Sequence, residues 1–324
     1  MDNKTFSLLN GNTIELHYWL KDQSHSMDAF VQNKCEREFL QIIEEIAKTF
    51  NAKITIETEP LAEGGIRRWF SILPLGKDKK LILYTVLITS IATGIITTPI
   101  GTALSVPIQK IIEELFEDEE LKNLEKEKLA AEISNLKLDA ELKTQLLMQN
   151  KKIAKKRSDF YAVLDNYPKT DKITFSIENE ERQPLYEEIV IPRENYKDFI
   201  IQSDDLESIV DESAIIEIIS PILKKGDYKW RGIYNGEALS FDMKSNEYKT
   251  LVQTGKIEFK NGSSINCLLE IKRKINSDGD VEIIGRDIIR VNEYFENDQP
   301  TETPEGKKHR QIKEADKQQL KMFE

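Results

Sequence analysis

The chain has 324 residues, with 46 Lys and Arg against 57 Asp and Glu, a net charge of −11. That length allows two or three domains with ample core, and the acidic balance excludes non-specific attraction to nucleic acid as a property of the whole molecule. Two distant cysteines, Cys35 and Cys267, supply no disulfide framework and point to a reducing compartment.

The N-terminus has neither a basic n-region nor an apolar h-region, so no signal peptide is expected. Residues 1–73 form the first predicted module. Thr13 to Leu20 alternates, with Ile14, Leu16 and Tyr18 on one face, and predicts a strand. A helix from Met27 to Phe50 carries Val31, Cys35, Phe39, Ile43, Ile46 and Phe50 at helical spacing, with Ser24 or Ser26 as its N-cap. Strands at Lys53–Glu57 and, after Gly64-Gly65, at Ile66–Phe70 complete a β-α-β-β module. Ser24-His25-Ser26 with Asp28 lies where free helix amides favour an anion, but plain capping is the simpler reading. Arg67 and Arg68 beside Trp69 are candidate ligand contacts. With Lys77, Lys79 and Lys80 they also fit the cytoplasmic flank of a membrane segment with an interfacial tryptophan.

Residues 74–109 are that segment. From Leu81 to Gln109 there is no charged residue, and Leu81 to Thr98 nearly supplies the roughly 20 residues of a spanning helix before Pro99. Thr85, Thr89, Thr93 and Thr97 recur every fourth residue and, with Ser90, cover one hydroxyl-bearing face opposite Leu83, Leu87, Ile91 and Ile95. That face either lines a pore or packs helices. The competing reading is a buried core hairpin turning at Thr97–Gly101. Pro99, Gly101 and Pro107 leave a single crossing or a re-entrant return, with both soluble parts placed in the cytoplasm.

Residues 110–157 contain neither Pro nor Gly and predict a helical stalk, roughly 70 Å long if continuous. Leu129, Ile133, Leu136, Ala140 and Leu147 give a coiled-coil seam interrupted by Lys143. Early acids and the late bases Lys151, Lys152, Lys155, Lys156 and Arg157 complement the helix dipole, and the bases are also candidate phosphate contacts. Such a rod implies oligomerisation.

Residues 158–296 predict a β-rich α+β domain. Strands are expected at Lys172–Ile177, Glu187–Ile191, Ala214–Ile219, Tyr228–Tyr234, Ala238–Met243, Lys256–Phe259, Ser264–Lys272 and Val281–Val291, with a helix at Glu247–Thr254. Asn276–Asp280 predicts a hairpin turn rather than a calcium loop, because the acidic ligand pattern is missing. The stretch Trp230-Arg231-Gly232-Ile233-Tyr234-Asn235-Gly236-Glu237 sets an indole, a guanidinium and a phenol near a strand–turn–strand corner. Bases stack on such groups, so Trp230, Arg231 and Tyr234 are ligand candidates for single-stranded nucleic acid. A core tryptophan beside a hairpin is the plain alternative. Residues 297–324 are polar and predict a disordered tail.

No phosphate-cradling glycine motif, zinc spacing, nucleophile elbow or HExxH occurs. The expectation is therefore a non-enzyme without cofactor or metal. The whole arrangement (small N-terminal module, short apolar insertion, helical stalk, β-rich region with WRGIYNGE) resembles the channel-type membrane effectors of bacterial anti-phage operons, those of Hailong systems in particular. The resemblance implies a homotetramer in the lipid of the bacterial inner membrane, gated by a single-stranded oligonucleotide or nucleotide from a nucleotidyltransferase-like operon partner. In it the threonine face lines the pore. The other reading is a membrane-anchored scaffold whose β domain binds a protein.

Overall fold

A computed structural model describes residues 11–58, 66–76, 79–104, 130–179, 181–224, 226, 228–296 and 299–320. The chain divides into two compact units, Met1–Ser203 with Ser277–Gly279, and Asp204–Asn276 with Asp280–Glu324.

The first unit runs β1 (Thr13–Leu20), α1 (Ala29–Thr49), β2 (Ile54–Thr58), β3 (Ile66–Pro74), α2 (Lys79–Thr97), α3 (Ala130–Met148), α4 (Lys151–Asp165), β4 (Thr170–Glu178) and β5 (Ile189–Pro192), then a 3₁₀ turn at Arg193–Phe199. Its antiparallel sheet has the order β2-β3-β1-β4-β5. The first four strands with α1 and α2 make a ferredoxin-like β-α-β-β-α-β unit. Alternation turns Ile14, Leu16, Tyr18 and Leu20 inward, where Phe39 of α1 packs between Phe70 and Phe175 at centroid separations of 5.5 and 5.9 Å. The cap of α1 is Asp28, not Ser24 or Ser26. Its carboxylate accepts from the amides of Phe30 and Val31 at 2.8 and 3.1 Å.

The apolar stretch is the core of this unit, which overturns the membrane assignment. Every residue from Leu83 to Thr98 is buried, against β1, β3, β4, α1 and α3. Each buried Leu or Ile contributes about 1.5–3 kcal/mol, so protein already supplies the apolar surroundings that lipid was expected to give. Among the described residues no helix is long and apolar enough to cross a membrane. The threonines complete the helix from within. Thr89, Thr93 and Thr97 donate to the carbonyls of Thr85, Thr89 and Thr93 at 2.8, 2.9 and 2.7 Å, and Thr85 donates to Ile82. Ser90 is buried beside them. None of the five opens onto a pore.

The end of α2 is closed by α4. Arg157 Nη1 donates to the carbonyls of Ile95 and Thr98 at 3.2 and 2.7 Å, and Tyr161 Oη donates to that of Ile96 at 2.7 Å. These are the orphan carbonyls that a helix C-terminus leaves, where a cation is favoured.

No long stalk exists among the described residues. Residues 105–129, including Leu129 and the acidic run, lie outside them. α3 and α4 are separate helices, because Asn150 caps α4 by accepting from the amides of Lys152 and Ile153. Ala140 and Leu147, expected in a coiled-coil seam, are buried in the unit's own core. Lys143 pairs with Asp139 at 2.8 Å and lies over the ring of Phe50.

The second unit begins at Asp204, so residues 158–203 belong to the first. It comprises β6 (Asp205–Ser220), β7 (Trp230–Tyr234), β8 (Glu237–Met243), α5 (Asn246–Gln253), β9 (Ser264–Ile275), β10 (Val281–Glu296), β11 (Gln299–Glu302) and α6 (Pro304–Leu320). β6 pairs antiparallel with β7 and β7 with β8, β8 lies parallel to β10, and β10 and β6 both pair antiparallel with β9. The five strands therefore close on themselves, with α5 between the third and fourth. This is the connectivity of an OB barrel. Asn235 and Gly236, at φ +52° and +82°, form the two-residue turn joining β7 to β8. Gly232 lets β7 approach β6, since a Cβ there would lie 2.6 Å from the Glu217 carbonyl. Lys256–Phe259 is a loop rather than a strand. The expected tail is instead β11 and α6. Glu305 anchors α6, accepting from Ser245 Oγ at 2.7 Å and from the Val291 amide at 3.2 Å.

In the first unit Lys156 and Glu38, both 3% exposed, pair at 3.2 Å between α4 and α1. Removing Lys156 leaves the buried Glu38 compensated only by the largely exposed Arg37, 3.0 Å away. Lys156→Ala is expected to destabilise this unit by about 2–3 kcal/mol in chemical denaturation, less than the loss for a wholly unpaired buried charge. Lys156→Met with Glu38→Leu is expected to recover most of that loss.

Candidate functional site

The basic residues singled out in the first unit are already engaged. Arg67 pairs with Glu15 at 3.0 Å and Arg68 with Glu36 at 2.9 Å. Lys152 pairs with Glu45, Lys155 with Asp159 and Lys156 with Glu38, while Arg157 closes α2. Lys151 alone of that run is exposed at the start of α4. The cluster was legible as charge, but not as the partners that the fold brings to it.

The barrel treats its candidates differently. Trp230 is 2% exposed and packs against Phe241, Tyr248 and Phe259, so it is core and stacks no base. Tyr234 Oη donates to Asp211 at 2.8 Å, and that bond holds the phenol above its ordinary pKa. Arg231 points outward, cross-strand from Ser240 on β8. With Ile215, Glu217 and Ile219 of β6, it belongs to the outer face of β6–β7–β8. This face opens at one end into a groove of about 970 Å³, lined by Ile219, Leu223, Gln253, Glu258, Phe259 and Lys260 among others. A smaller recess of about 70 Å³ shares Gln253 and is bordered by Lys224, Tyr228, Asp242, Lys244 and Lys249.

What distinguishes this region is its unspent charge. Lys224, Arg231, Lys244, Lys249 and Lys260 enter no ion pair and no side-chain hydrogen bond among the described residues. Of the nearby acids, Asp242 is matched by Lys229 at 3.9 Å, while Glu217 and Glu258 line the groove without an ion pair among the described residues. Tyr228 is 62% exposed and Phe259 is half-buried, so two aromatic rings stand among these cations. Single-strand binders combine these two elements, cations for the backbone and rings for the bases. Sequence reasoning found Arg231 but missed the lysines, which are scattered over 37 positions and meet only when β6–β7, β8–α5 and α5–β9 connections converge.

A second polar cluster lies on the outer face of the first unit's sheet. In register across β3, β1 and β4 stand Trp69, Glu15 and Ser176, and beside them Arg67, His17 and Thr174. Ser176 Oγ lies 3.0 Å from Glu15 Oε2 and 3.1 Å from Glu178 Oε1, while Trp69 Nε1 donates to Glu178 at 3.1 Å. Burial, followed by the hydrogen bond and charge of Glu15, pushes Glu178 up to about 7. Burial and the Arg67 charge hold His17 down to about 4. No group of residues suited to a metal ion occurs here or elsewhere among the described residues.

The chain matches no known protein family, no curated protein and no solved structure.

The raised carboxyl of Glu178 has a thermodynamic signature. Its folded value lies above the ordinary carboxylate value, so its stabilising contribution is full in acid and is lost as pH rises from about 4.5 through 7. His17 has the opposite slope, losing stability as pH falls from about 6.5 through 4. Glu178→Gln is expected to remove the first slope only. Melting curves should then show the variant gaining on the parent by on the order of 1–2 kcal/mol between pH 5 and 8.

Proposed function

We propose that the chain is a binding protein whose barrel takes a single-stranded oligonucleotide across β7 and β8 and into the groove beside them. The observation that carries this reading is the set of unpaired cations, Lys224, Arg231, Lys244, Lys249 and Lys260, around exposed Tyr228 and half-buried Phe259. Oligosaccharides are the other common ligand of OB barrels, but they bring no charge to these cations. Strand order alone does not assign a function; the chemistry of the face does. The negative charge of the whole chain is compatible, because phosphate attraction needs only a local field. This reading keeps the ligand class implied by the anti-phage resemblance and drops the pore, since the threonine helix is a core element.

Exposed Ile215 and Ile219 on the same face, at 58% and 51%, favour a second reading, a protein partner. Salt separates the two. A fluorescent oligonucleotide of about 10 bases is expected to bind with log K falling against log salt by roughly 0.7 per phosphate contacted. Lys244→Glu, Lys249→Glu and Lys260→Glu together should weaken binding at least tenfold and flatten the salt slope by about 2. Equal affinity in parent and triple variant would overturn the assignment.

A further inference from the structure

The first unit holds a cavity of about 720 Å³ that the oligonucleotide reading does not use. Its walls are Gly101–Leu104 just beyond α2, Lys137, Glu141, Thr144, Gln145 and Met148 along α3, Gln149 after it, and Arg157 from α4. A volume of this order suits a small organic molecule.

Two features give the cavity a sign. Arg157 is 4% exposed, yet among the described residues no carboxylate pairs with it. Its Nη1 is spent on the α2 carbonyls, and its Nε, also buried, has no hydrogen-bond partner. A helix C-terminus offers about half a negative charge, so a full guanidinium there is only part-compensated. Buried cations are ordinarily paired, because an uncompensated one is costly. Lys137, half-buried and also in the lining, enters no ion pair among the described residues. Against these two cations the lining has one acid, Glu141, which is exposed.

The rest of the lining is amphipathic. Leu104 is buried and Met148 half-buried, while Gln145, Gln149 and Thr102 add polar groups at the rim. Thr144 Oγ1 donates to the Ala140 carbonyl at 2.7 Å and retains its acceptor capacity. We infer that this cavity binds a small organic anion, with its carboxylate or phosphate head between Lys137 and Arg157 and its apolar body against Leu104 and Met148.

Calorimetric titration of the full chain tests this with three probes: octanoate, phenyl phosphate and inorganic phosphate. Octanoate, phenyl phosphate or both are expected to bind with one site per chain, and the stronger of the two identifies the head group. Lys137→Glu is expected to weaken that binding at least tenfold while circular dichroism and melting temperature stay unchanged. Met148→Asp, reversing the character of the apolar wall, is expected to weaken it comparably. Arg157→Leu removes the cap of α2 and is expected to lower the melting temperature, so Lys137 carries the test. Binding by inorganic phosphate alone would mark an adventitious ion only and overturn the proposal. So would organic-anion binding indifferent to Lys137→Glu, or no binding by any probe.

Discussion

The first unit depends on how the C-terminus of a wholly buried helix is satisfied. Burying α2 from Leu83 to Thr98 takes its last carbonyls away from water as well as its side chains. An orphan carbonyl left there costs about 1–3 kcal/mol. Arg157 and Tyr161, one turn apart on α4, donate to the carbonyls of Ile95, Ile96 and Thr98 together. Arg193 repeats the device at the end of α4, donating to the carbonyls of Leu164, Asp165 and Tyr167. An arginine suits both places because its fork presents several donors from one side chain. Helix burial and the positions of these two arginines are therefore one constraint.

That constraint explains why the most conspicuous stretch misleads. A run of apolar residues near spanning length fits a bilayer and the centre of an α+β unit equally well by composition. The four-residue threonine repeat does not separate the two either, because back-bonding to the preceding turn satisfies a hydroxyl in both settings. The deciding information is non-local: β1, β3 and β4 on one side, α1 and α3 on others. It resides partly in Arg157, 59 residues beyond the carbonyl of Thr98 that it caps. Read locally, Arg157 belongs to a basic run at the end of a rod.

Local patterns carried the elements where burial is one-sided. The alternation of β1, the helical spacing of Phe39, Ile43 and Ile46, and the Asn276–Asp280 turn are written in neighbouring residues, and the Asn276 and Asp280 hydrogen bonds close that turn. Caps were harder to place. Asp28 and Asn150 were available as capping residues, but serines nearby and an unbroken Leu-Ala-Glu-Lys composition drew the boundaries elsewhere. Closure of the barrel was not legible. It rests on the short parallel pairing of β8 with β10, Asp287 opposite Asp242 and Ile288 opposite Met243, between strands separated by α5 and β9. The polar tail was mistaken for disorder for a related reason. α6 is secured by Glu305, Thr303 and a backbone approach at Gly306, where a Cβ would collide with the Asn292 carbonyl oxygen.

Charge bookkeeping, finally, orders the two units chemically. In the first, Glu and Asp side chains meet three lysines of α4 and the two arginines of β3, and the products are structural pairs, one of them buried to 3% exposure. Such pairs contribute little net stability against an apolar replacement, but they leave their cations unavailable. In the barrel the cations gather where three connections converge, and no acid has been set against most of them. An isolated surface lysine is unremarkable. Five cations without ion pairs, near one exposed and one half-buried aromatic ring, are the local field on which the proposed reading rests. The net charge of −11 is compatible with the proposed binding reading, because phosphate attraction needs only a local field.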